Sequence, residues 1–248
     1  MAGAGATLFC MTLAFLLLGL AAGVLTTVAG QGGGLMLLLA VSALVGPHAA
    51  LAITAPALLF GNLHRAVLLR HAVRRDVAVR LAAGALPGAL AGGLAAGVLP
   101  VGVLRGIMVV LTTLAIAKAL GWIRFTVAPR ALGPAGFGLG ILTGASGGAG
   151  ILLAPILLAL GLGGRAYVAT SAVVAVAMHV GRVAGYVGLG FFSPQLVGWT
   201  VAVTVAIFAG NALGGRAQGF LEARGRLQAV FEYGTLIVCV ALSVAGLG

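Results

Sequence analysis

The chain alternates long apolar runs with brief clusters of glycine, proline and arginine. Apolar runs fall at 6–29, 31–45, 49–69, 77–97 and 101–121, then at 131–146, 149–162, 166–189, 197–215 and 228–247. A helix needs roughly 20 apolar residues to cross the hydrocarbon core, so this pattern predicts an all-α, polytopic integral membrane protein with about eight to ten membrane segments. The runs at 31–45, 131–146 and 149–162 are short for a full span and are expected as re-entrant or broken helices. The run from Leu8 to Val28 has no basic residues ahead of it and reads as the first transmembrane segment rather than a signal peptide.

The two sets of runs are related. Gly30-Gln31-Gly32-Gly33-Gly34-Leu35 aligns with Ser146-Gly147-Gly148-Ala149-Gly150-Ile151, and Ala52-Ile53-Thr54-Ala55 with Val168-Ala169-Thr170-Ser171, both at an offset of 116 (146 − 30 and 170 − 54). Two ungapped matches at one offset predict an internal duplication, with a first transmembrane repeat over 1–125 and a second over 126–248 in a single membrane domain. Arginines set the sense of each half. The connection after the third run carries Arg70, Arg74, Arg75 and Arg80, while the next, Val98 to Val103, is uncharged. The second half reverses this order. Its connection at Phe191-Phe192-Ser193-Pro194 is uncharged, and the following one holds Arg216, Arg224 and Arg226. Basic loops stay in the cytoplasm, so the halves are expected as inverted-topology repeats in the inner (plasma) membrane. Arg124 and Arg130, between the halves, are cytoplasmic in the same scheme.

Composition supports the membrane reading. With 62% hydrophobic and 7% charged residues, there is too little polar surface to cover a soluble globule. The net charge of +11 is scattered between apolar runs rather than gathered with aromatics, so the lipid bilayer and not nucleic acid is the expected partner. Cys10 and Cys239 lie in apolar runs without a CxxC or ligand spacing, and no disulfide, metal or other cofactor is expected. The 42 glycines predict close packing through small-residue helix faces, although high-GC codon bias would give the same count.

Glycine lets the backbone turn inside a membrane and frees N–H groups at a helix start, which makes a ready anion site. Gly30, Gln31, Gly32, Gly33 and Gly34, and in the second half Ser146, Gly147, Gly148 and Gly150, are therefore candidate substrate-binding residues; simple helix packing is the other use of such glycines. The run at 166–189 carries Thr170, and also Ser171, His179, Arg182 and Tyr186 within roughly 80° of one another on a helical wheel. A mid-membrane arginine costs about 2.5–3.5 kcal/mol, so Arg182 either meets substrate or snorkels to the nearer interface. In the matching run, Thr54, Asn62 and Arg65 share a broad face, with Arg65 read either as a substrate contact or as an interface anchor. His64 and His71 read as interface residues. The acids Asp76, Glu222 and Glu232 all sit in or beside connections, so no mid-membrane carboxylate is available to hold a cation. The resulting positive field suits an anion, and His179 is the deep titratable group for any proton coupling.

The run Gly30 to Leu35 and its counterpart Ser146 to Pro155, each followed by an Ala/Thr/Ser-rich helix, resemble the duplicated GxGGG-LxxP and AxATS-like segments of the sulfite exporter TauE/SafE family. The resemblance covers both halves. The first half differs in having Leu38-Leu39 where the proline would fall and Ile53-Thr54-Ala55 in place of ATS. The resemblance implies transport of a small anion, sulfite or a related sulfur oxyanion or organosulfonate, and not an enzyme; the inverted repeats with interrupted helices point to a secondary transporter working by alternating access. A homo-oligomer is compatible with it.

Two other classes use the same residues. A passive anion channel would need the same polar face. Gly144-Ala145-Ser146-Gly147 reads as GxSG and, with His179, sketches a rhomboid-like intramembrane serine protease. Ser146 aligns with Gly30, which a duplicated transport element explains and a nucleophile does not.

Overall fold

Several helices end where the sequence supplies glycine, as at Gly46, Gly97 and Gly147. The computed structural model describes residues 2–29, 32–119, 122, 128–222 and 238, and among them helices and short 3-10 turns are the only regular elements. The first half holds α1 (Ala2–Val28), α2 (Gly33–Val45), α3 (Pro47–Leu68), α4 (Arg75–Ala96) and α5 (Val101–Ala119). The second holds α6 (Leu132–Ser146), α7 (Leu153–Ala159), α8 (Gly164–Gly188) and α9 (Pro194–Glu222). Apart from Val238, the run at 228–247, with Glu232 and Cys239, lies outside the described residues, as do Arg124, Arg224 and Arg226. Among the described residues, five helices are long and apolar enough to cross a membrane: Phe9–Val28 within α1, then α3, α4, α8, and Pro194–Ala217 within α9. Their outward faces are apolar, with Phe9, Val79 and Val187 exposed by 70%, 66% and 62%, which requires lipid as solvent. The chain is an all-α polytopic membrane protein.

The short elements have local causes. Gly46, at φ 83°, reverses the chain between α2 and α3 in a single residue, and Pro47 then opens α3, where a missing N–H costs nothing. With 13 residues, α2 is about 20 Å long and cannot span the hydrocarbon core by itself. Its partner in the second half is interrupted further. A 3-10 turn at Ala149–Leu152 precedes α7, whose first turn contains Pro155, whereas α2 has Leu38 and Leu39 in the corresponding place and continues.

Glycine determines how the long helices pack. On α4, Gly84, Gly88 and Gly92 lie against the backbone of Gly133, Phe137 and Ile141 on α6, while Gly136, Gly140 and Gly144 of α6 lie against Leu81, Ala85 and Ala89 of α4. A Cβ at any of these six positions would overlap a carbonyl of the partner helix. The helices therefore meet backbone to backbone, as small-xxx-small faces do in lipid. Gly19 and Gly23 of α1 approach Val203 and Ile207 of α9 in the same manner, and Gly181 and Gly185 of α8 approach Leu86 and Gly93 of α4.

These contacts also fix direction. α4 runs parallel to α6 and α8, and α1 parallel to α9, since each contact advances along both chains together. α3 is antiparallel to α8: its first turns meet the C-terminal end of α8 through Arg182 to Leu51 and Phe191 to His48, and the connection after it meets the N-terminal end through Arg74 to Thr170. Arg165, Arg216 and Leu68 border one cavity, so α9 ends beside the end of α3. The Arg74 and Pro194 connections thus lie at opposite ends of the bundle. At the first of these ends Arg74 pairs with Asp76 at 3.2 Å in solvent, and this carboxylate raises the Arg74 pKa above its ordinary value.

Candidate functional site

Two helices of the first half and two of the second are stitched at their broken ends by buried cations. The last carbonyls of α1 have no intrahelical partner, and the Arg65 guanidinium on α3 donates from Nη1 to one of them, Thr26 O, and from Nη2 to Asn62 Oδ1 at 2.6 Å. The last turn of α6 is satisfied by an analogous but longer route. Tyr186 on α8 donates to Gly144 O at 2.7 Å, and Arg182 donates from Nε to the Tyr186 hydroxyl at 3.0 Å. Arg182 Nη2 reaches the first half, at Thr54 Oγ1 (3.1 Å) and Leu51 O (3.3 Å). Pro56, further along α3, lacks an N–H and loosens this part of the helix. Among the described residues, Arg65 and Arg182 each keep one buried nitrogen without a hydrogen-bond partner, Nε and Nη1 respectively.

Between these caps lies a cavity of about 60 Å³, room for a few waters or one small oxyanion. Of the residues expected from sequence, Gly32, Gly34, Asn62, Arg65, Gly147, Gly148, Gly150, Ser171 and His179 line it. Gly33 is buried and faces α1 instead, against Ala22 and Thr26. Thr54, Ser146, Thr170, Arg182 and Tyr186 are buried but outside the lining. Gly30 and Gln31 lie outside the described residues. Arg182 sits behind Gly147, where a Cβ would come within 2.7 Å of Nη2; at φ 76° that position favours glycine in any case. The two arginines, at matching places in the two halves, are thus divided: Arg65 borders the cavity and Arg182 braces its wall.

The lining also contains residues that sequence reasoning missed. Thr26, Thr143, Leu35, Leu58, Leu153, Ala175 and Met178 complete it. Thr26 and Thr143, Asn62 and His179, and Arg65 and Arg182 are each 117 positions apart (143 − 26, 179 − 62 and 182 − 65), one more than the offset of the glycine clusters. That one-residue slip is the signal that would have paired them. Asn211 on α9 was also missed; it accepts from Thr27 Oγ1 at 3.0 Å and donates to Gly61 O at 2.8 Å, tying α1 to α3.

The hydroxyls are largely committed to the protein. Thr26 donates to Ala22 O at 2.8 Å, Ser171 to Val168 O at 2.9 Å, and Thr143 to Met178 Sδ at 3.4 Å. Anion donors must therefore come from Arg65, His179 and the backbone N–H groups at the start of α2, where Gly32, Gly34 and Leu35 border the cavity. No acidic side chain among the described residues is in the lining. Among the described residues no group of three or more His, Cys, Asp or Glu is gathered to hold a metal ion. Ser146 donates to Leu142 O at 2.7 Å, and among the described residues no hydrogen bond joins it to His179.

The family model for sulfite exporter TauE/SafE matches residues 15–243. The chain belongs to this family. No curated protein and no solved structure matches it. As a TauE/SafE member it is a membrane transporter, in a family associated with sulfite and related anions. The match extends over both glycine clusters and every residue that lines the cavity.

Proposed function

We propose that this TauE/SafE protein carries a small sulfur oxyanion, sulfite first among them, through the cavity between its broken helices, by alternating access of two inverted halves in the inner membrane. The observation that carries this reading is the lining itself: glycines from both halves, the start of α2 and the Arg65 guanidinium converge on one small space, with no acidic group among the described lining residues. The apolar part of the wall, Leu35, Leu58, Leu153 and Met178, lowers the local dielectric and strengthens each charge-assisted bond to an anion. The size of the cavity favours an oxyanion over a bulky sulfonate.

The matching positions of Arg65 and Arg182 support alternating access. In an inverted-repeat carrier the two halves exchange conformations, so in the opposite state Arg182 borders the anion and Arg65 withdraws behind its own glycine cluster. Arg182 is then required for turnover without touching substrate in the present state.

Uptake of labelled sulfite into proteoliposomes tests the reading. The expected result is saturable uptake that unlabelled internal sulfite accelerates. Non-saturable flux without trans-stimulation supports a channel instead, and the absence of flux with sulfite, sulfate, thiosulfate or small sulfonates removes the anion reading.

A further inference from the structure

A second cavity, of about 320 Å³, opens at the arginine-bearing end of the bundle and shares no lining residue with the first. Leu68 and Leu69 at the end of α3 and Ala212 and Gly215 of α9 form its walls, and Arg165 and Arg216 its rim. We propose that it binds the phosphate headgroup of an anionic phospholipid, with an acyl chain lying in the groove between α3 and α9.

Three observations lead there. The first is depth: the apolar spans end at Leu68 on α3, begin at Gly164 on α8 and end at Ala217 on α9, so the two guanidiniums stand at the level of lipid headgroups. The second is charge. Among the described residues neither arginine has an acidic partner, the ion pair at this end being that of Arg74 with Asp76. Two such cations from different helices are placed to share one phosphodiester. The third is shape. Below the rim, helix periodicity places the i, i+4 rows Leu68, His64, Phe60 on α3 and Arg216, Ala212, Phe208 on α9 along a strip about 12 Å long, the course proposed for the acyl chain. Its walls are apolar and outward-facing, with Phe60 exposed by 48% and Phe208 by 37%, and the His64 ring lies 5.0 Å from that of Phe208. His64 Nδ1 is buried there without a hydrogen-bond partner. A free phosphate would use the rim alone; a phospholipid uses rim and groove together.

Native mass spectrometry of the purified protein with phosphatidylglycerol and phosphatidylcholine at equal concentration tests this. The expected result is preferential retention of phosphatidylglycerol, reduced about tenfold or more in the double variant Arg165→Gln, Arg216→Gln. Ala212→Trp fills the groove, leaves both arginines in place, and is expected to lose the same lipid; it decides the matter if the double variant does not fold. Equal retention of the two lipids, or undiminished phosphatidylglycerol in either folded variant, overturns the proposal. So does displacement of the lipid by an equal concentration of inorganic phosphate, which would mark a free-anion site.

Discussion

Arg65→Gln is expected to weaken sulfite binding by about 10- to 150-fold, the range for losing charge-assisted hydrogen bonds worth about 1.5–3 kcal/mol. Arg65 is the cation among the described residues that borders the cavity, and among those residues its buried Nε has no hydrogen-bond partner, so one donor is left for an oxyanion without breaking an existing bond. Glutamine removes the charge and also abandons Thr26 O at the end of α1, so a loss of stability of about 1–3 kcal/mol should accompany the change. Arg65→Lys separates the two effects. It keeps the charge without the planar fork, and binding should fall between wild type and glutamine. Arg182→Gln should bind sulfite in this state far better than Arg65→Gln does, because Arg182 lies behind Gly147. Calorimetric titration of the purified variants checks the order, and equal affinity of wild type and Arg65→Gln would show that the anion is held elsewhere.

The second large effect concerns packing. In Gly140→Leu the new Cβ meets Ala85 O and stands 2.7 Å from Ala89 N, both backbone atoms that cannot rotate aside. Helices α4 and α6 must separate along their length, which is expected to cost about 3 kcal/mol or more. Gly138 on the same helix has nothing among the described residues within 4 Å of the place a methyl group would take, so Gly138→Ala should leave stability unchanged or raise it by up to about 1 kcal/mol through helix propensity. Size-exclusion profiles after graded heating report both. Equal melting of the two variants would mean that the α4–α6 contact is not the close one described above.

The contrast between these glycines explains what the sequence could and could not reveal. Their number is compatible with codon bias, but Gly84, Gly88 and Gly92 facing Gly136, Gly140 and Gly144 form an interface that composition cannot distinguish from glycines such as Gly102 or Gly138, where an added methyl group would meet none of the described residues. Within the described residues, helix existence was readable because each apolar run is bounded by glycine, proline or arginine. Ends were less so: α9 starts at Pro194, which is tolerated in a first turn, and continues past Arg216, where a charge at the interface does not interrupt a helix.

The site was readable in its glycine clusters and in the polar faces of α3 and α8, but not in the division of labour between the arginines. Both lie on helices at corresponding positions. Which one borders the cavity depends on the caps: Arg65 reaches the end of α1 directly, while Arg182 works through Tyr186 and is held back behind Gly147. Those are tertiary facts. Thr26 and Thr143 escaped notice for a similar reason, because hydroxyls in apolar helices usually serve their own backbone, and both are only revealed as lining residues by the approach of the two halves.

Alternating access in this chain requires the halves to cross the bilayer in opposite senses, with the arginine-bearing end in the cytoplasm. Single cysteines introduced as His71→Cys and Gln195→Cys, in a background lacking Cys10 and Cys239, can be challenged with a membrane-impermeant maleimide in intact cells and in inverted vesicles. Gln195→Cys is expected to be labelled only in intact cells and His71→Cys only in inverted vesicles. Labelling of both from the same side would contradict inverted halves.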